Sequence, residues 1–126
     1  MIFRNSGIFY EVFDNDAYIM HYLFSYKISN TGKIGFPISA KNKVINILDS
    51  KKINYTFIEP NGDNLTKDFK GNNKYDDILK KSLAIIDKEK MINNIKTEIN
   101  KLDKNKLKEL FDLIKDFIYE KWFSNN

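Results

Sequence analysis

The chain has 126 residues, 42% of them apolar, with 10 Phe, 7 Tyr and no Cys. Without cysteine there is no disulfide, thiolate metal site or cysteine nucleophile, and a chain this long buries roughly two-thirds of its extended surface without staples. The net charge of +4 is spread evenly, with 7 basic and 5 acidic residues up to Pro60 and 14 and 12 after it. Neither part is a basic arm, so binding to nucleic acid through charge alone should be weak and salt-sensitive.

Along the chain two kinds of periodicity follow one another. Ile2-Phe3-Arg4 and Ile8 to Phe13 have the aromatic and β-branched content of strands. Asp14-Asn15-Asp16 offers N-caps for a helix from Ala17 to Ser25 that buries Ile19, Met20, Leu23 and Phe24. Tyr26 to Ser29 reads as a short strand, and Asn30-Thr31-Gly32-Lys33 as a turn with a glycine suited to positive φ. Ile34 to Ile38 is extended, because Pro37 pushes Phe36 out of the α region. Ser39 can cap a helix from Lys41 to Lys51 with Val44, Ile45 and Leu48 inward. Asn54 to Glu59 alternates as a strand, and Leu65 to Phe69 can pair back on it across the Asn61-Gly62 turn.

From Lys74 onward the spacing is helical. Ile78, Leu79, Leu83 and Ile86 are followed by Met91, Ile95, Ile99 and Leu102, with Asp87 marking a break and a new cap. Asp103 can cap a last helix whose stripe runs Leu107, Leu110, Phe111, Ile114, Phe117, Ile118 and Trp122. So wide a stripe must be buried against the sheet, a protein partner or a second copy. The expected fold is α/β, a mixed sheet with flanking helices over residues 1–70, followed by a helical region over residues 74–126.

The segment Gly7-Ile8-Phe9-Tyr10-Glu11-Val12-Phe13 resembles the Gly-Asp-Phe-Tyr-Glu-Leu-Phe segment of the N-terminal mismatch-recognition domain of the MutS family. Further likenesses follow in the same order. Asp16-Ala17 resembles the opening of that domain's first helix, Gly35-Phe36-Pro37 its Gly-x-Pro segment, and Val44 to Leu48 with Ile53 to Glu59 its second helix and following strand. The likeness covers about the first sixty residues. Ile8 stands where the family usually has Asp, and Ser6 where it has Met or a similar apolar residue.

Strand periodicity places Phe9 and Glu11 on one face and Tyr10 on the other. A phenylalanine on such a face can insert beside a base from the minor groove and partly unstack it, at least cost where the pair is mismatched or unpaired. The resemblance implies that Phe9 stacks on the mismatched base and Glu11 hydrogen-bonds it. Arg4 beside the motif, with Lys41 and Lys43, is the expected set of phosphate contacts.

Other candidates carry less. His21 is the sole histidine and lies in a predicted helix, and Asp14-Asn15-Asp16 lacks the glycine and distal glutamate of a calcium loop. There is no Gly-x-x-x-x-Gly-Lys-[Ser/Thr] phosphate loop, and the family's ATPase and clamp domains do not fit in the residues after the likeness. No catalytic centre, metal or cofactor site is expected. Nor is membrane contact: no basic leader precedes an apolar run, and no apolar stretch nears the ~20 residues that span a bilayer. The expectation is a cytoplasmic recognition module for distorted or mismatched duplex DNA, able to form a homodimer. The alternative is a protein-binding accessory or inhibitor of the mobile-element or phage type, reusing the fold and making contact through the C-terminal helices.

Overall fold

The structure, a computed structural model, describes residues 1–124. Alternating burial along Ile2–Asn5 (β1) and Phe9–Phe13 (β2) makes a hairpin that sets Arg4 opposite Glu11 and Asn5 opposite Tyr10. Its turn depends on Gly7, at φ +118°, a region that side chains disfavour. Ser6 closes the turn, donating to the Phe9 carbonyl from its N–H (2.8 Å) and from its hydroxyl (3.1 Å).

Helix α1, Asp14–Phe24, follows directly and ends at Ser25 in the left-handed conformation. The Asp residues at its start do not cap it. The N-cap position falls on Phe13, and no side chain bonds the first turn. The Asp16 carboxylate instead accepts the Ile2 N–H (2.8 Å) and the Tyr75 hydroxyl (2.7 Å), tying the helix to β1 and to a distant segment.

Tyr26 to Ser29 forms no strand. The Tyr26 ring stacks on Phe24 (5.3 Å between centroids) and Phe36 (6.0 Å), so its apolar surface is used from a loop. Ser29 and Lys33 then close a turn, with Gly32 at φ +77°.

Strand β3, Lys33–Pro37, pairs antiparallel with β2. A short 3-10 turn, Ile38–Ala40, leads into α2, Lys41–Lys51, the bounds that the sequence predicts. Ser39 sits inside that turn, and Ala40 takes the cap position. Strand β4, Tyr55–Ile58, lies parallel to β1, and β5, Leu65–Lys67, pairs antiparallel with β4. The result is one mixed five-stranded sheet in the order β3-β2-β1-β4-β5. The parallel β1–β4 pair needs a crossover, which α2 provides.

One face of the sheet carries Phe3, Tyr10, Val12, Ile34, Phe36 and Phe57. They pack on Ala17, Ile19 and Met20 of α1 and on Val44 and Leu48 of α2. Phe3 and Phe57 stack at 4.4 Å, and Tyr10 meets Phe57 edge-on at 5.0 Å. Each fully buried side chain of this size stabilises the fold by about 1.5–3 kcal/mol relative to exposure. The other face carries Ile2, Arg4, Phe9, Glu11 and Phe13, which are exposed or half-buried.

Helix α3, Tyr75–Ile99, runs through Asp87 without the break its aspartate suggests, since neither Gly nor Pro interrupts it. The chain divides into two compact units between Asp87 and Lys88, inside this helix. The composition places the boundary earlier, at 70–74. The difference arises because Tyr75, Ile78 and Leu79 pack on the sheet's core. The second unit holds the rest of α3 and helix α4, Lys104–Ser124. Asp103 caps α4 as its sequence predicts, accepting the Lys106 N–H at 2.9 Å. Residues 125 and 126 of the expected helical region lie outside the described residues. Among the described residues no helix is long and apolar enough to cross a membrane.

Candidate nucleic-acid interface

The motif that the sequence singles out lies on the face of the sheet away from α1 and α2. Phe9, Glu11 and Phe13 share that face, while Tyr10 and Val12 point into the core. Phe9 is 41% exposed. It lies opposite Pro37, where β2 begins beside the Gly7 turn. Ile8, at the turn itself, is 71% exposed, and its carbonyl accepts the Ile38 N–H at 3.2 Å. Ile8, Phe9, Pro37 and Ile38 together make an apolar promontory at one end of the sheet.

Arg4 is exposed on β1 and lies directly across from Glu11. On its other side Glu11 faces Gly35, which has no side chain. Glu11 leans along the strand to Lys33 instead, whose Nζ lies 3.4 Å from its Oε1. Lys33 and Lys27 line a shallow groove with Ile28, Ser29, Asn30 and Gly35 beside the edge strand β3. Neither lysine stands out in the sequence. Lys33 could have been found from the alternation of β3, which places it level with Phe13.

The two α2 lysines are not brought to this face. Lys41 lies on the helix side, where its Nζ meets Glu59 Oε1 at 3.1 Å and sits over the rings of Phe57 (5.1 Å) and Tyr10 (5.6 Å). The Tyr10 hydroxyl also donates to Glu59 Oε1, and the Asn5 amide donates to Oε2 at 2.9 Å. The Tyr10 hydroxyl holds the Glu59 carboxyl below its ordinary value; burial opposes this, and Asn5 and Lys41 reinforce it. Burial and the Glu59 acceptor push the Tyr10 phenol up. Burial would lower the Lys41 ammonium, but its bonds to Glu59 and Tyr10 outweigh that and raise it. Lys41 is thus a partner in a structural ion pair. Lys43 remains exposed on α2, its ammonium 6.0 Å from the Phe24 ring centroid.

His21 contributes to the fold, with Nδ1 2.7 Å from the Tyr26 carbonyl oxygen. Among the described residues no group of three or more His, Cys, Asp or Glu is placed to hold a metal ion. Chemically the open face offers an apolar wedge, a carboxyl beside it and cations on both sides. It can stack, accept a hydrogen bond and approach an anionic backbone. Comparison with protein-family models, with curated proteins and with solved structures gives no match for this chain.

Proposed function

We propose that this chain is a non-catalytic recognition module for distorted or mismatched duplex DNA, as the likeness of its first sixty residues to the MutS recognition domain implies. The observation that carries the reading is the exposure of Phe9 on the same face as Glu11, with Arg4 one strand away. Phe9 inserts from the minor groove at a step whose stacking is already weak. Unstacking there costs less than the few kcal/mol required at an intact step, so selectivity comes from deformability. Glu11, two residues along the same strand, lies about 7 Å further on and contacts the displaced base. Arg4, Lys33 and Lys27 neutralise phosphates.

The test is fluorescence-anisotropy titration of matched, mismatched and looped duplexes with the full chain and with Phe9→Ala. Phe9→Ala should remove the preference for mismatched duplex, a loss of at least about tenfold, as aromatic anchors at interface centres give. With three phosphates neutralised, affinity should fall about 40-fold between 50 and 200 mM salt. Equal affinity of the wild-type chain for all three duplexes would sink the proposal.

A further inference from the structure

We infer that the second unit is a dimerisation element, and that the occupant of its apolar face is the same unit of a second copy. From Lys88 to Trp122 no described side chain is buried, and only Ile99, Leu102 and Leu110 are partly so. Two helices joined by a four-residue turn, Asn100 to Asp103, therefore lack a core of their own. On α4, Leu107, Phe111, Ile114, Phe117, Ile118 and Trp122 form one stripe, with Phe117 59% and Trp122 66% exposed. On the same unit's part of α3, Met91 and Ile95 are exposed and line a groove with Leu110.

The width of the stripe specifies the kind of partner. Apolar residues at two adjacent positions per heptad, Leu110-Phe111 and Phe117-Ile118, exceed the narrow seam of a two-stranded coil and suit a helix facing two neighbours. A hairpin supplies one neighbour, and two hairpins supply the four helices of a closed bundle. A standard specific interface buries about 800 Å² per partner, and the exposed stripe of α4 with Met91 and Ile95 is the apolar surface the unit offers to one.

Charge specifies that the partner is a copy, and its direction. Residues 101–108 carry +3, from Lys101, Lys104, Lys106 and Lys108 against Asp103. Residues 109–120 carry −3, from Glu109, Asp112, Asp116 and Glu120 against Lys115. Lysines early in α4 run against the helix dipole, where acidic residues are favoured and none is found in the first turn. The polarity suits an antiparallel α4 from a twofold-related chain, with each basic end over the partner's acidic end. A polyanion or an anionic lipid surface would meet the acidic half.

This inference is independent of the DNA reading and is tested without DNA. Sedimentation of the full chain at micromolar concentration should give twice the 14.9 kDa chain mass. Phe117→Glu, at an exposed site, should give a monomer that loses part of its 222 nm helical signal, because the second unit's helices have no core without the copy, while the first unit, whose core is its own, stays folded. A second pair of variants tests direction. Lys104→Glu/Lys106→Glu/Lys108→Glu and Asp112→Lys/Asp116→Lys/Glu120→Lys should each be monomeric alone and form a heterodimer when mixed. A monomeric wild-type chain, a dimer untouched by Phe117→Glu, or charge variants that self-associate as well as they cross-associate would overturn the inference.

Discussion

Glu59 is the residue on which the most groups converge, and its environment fixes how stability responds to pH. Its carboxyl is held below the ordinary glutamate value by the Tyr10 hydroxyl, then by Asn5 and Lys41. A lowered folded-state value means that Glu59 stabilises the fold above about pH 4.5 and that this contribution fades as pH falls further. Lys41 and Tyr10 are shifted upward, so their contribution is complete below about pH 10 and fades above it. Tyr55, pushed up to about 12 by burial and by donating to Asp49, loses its proton later still. Glu59→Gln should cost about 1–3 kcal/mol at pH 7, because it leaves Lys41 half-buried without its anion. Urea unfolding at pH 7 and pH 3 checks this, since the gap between variant and wild type should shrink at the lower pH. None of this was legible locally. Lys41 looks like a surface helix lysine until Glu59, eighteen residues on, takes it at the far end of β4. By contrast Phe9, Glu11 and Arg4 share a face because strand alternation and a tight hairpin leave no other register, and both signals are short-range.

At the scale of elements, local chemistry predicted those parts whose partners are close in sequence. Helix α2 has its expected bounds, β5 pairs back on β4, and Asp103 caps α4. Asp103→Ala should remove about 1 kcal/mol from α4 and lower helicity, read by circular dichroism at 222 nm. What sequence reasoning missed was decided by distant partners. Asp14 and Asp16 have the composition of caps, yet Asp16 serves Ile2 and Tyr75, fourteen and fifty-nine residues away. Tyr26 has strand propensity, but its ring is satisfied by stacking on Phe24 and Phe36. β-propensity measures fit to a packed surface, and a loop can meet that demand without a ladder.

For the whole molecule, the two units differ in how they obtain a core. Residues up to Asp87 bury a layer of aromatic and aliphatic side chains between sheet and helices. The unit from Lys88 onward buries none among its described residues. If its core is completed by a copy, its melting must depend on protein concentration. The helical transition, followed at 222 nm, should rise in temperature between low- and high-micromolar protein, and Phe117→Glu should remove that rise.

The position of β1 has a further consequence, for the order of assembly. It is the central strand yet is made first, and its parallel neighbour β4 places Thr56 beside Ile2. On the ribosome, the first hairpin emerges with one side of β1 unpaired and stays so until Tyr55–Ile58 has left the exit tunnel. During that interval the nascent chain presents a hydrogen-bonding edge that invites association with its neighbours on the same messenger. That edge closes only when β4 reaches it, and α2 is the element that leads the chain back to place β4 there.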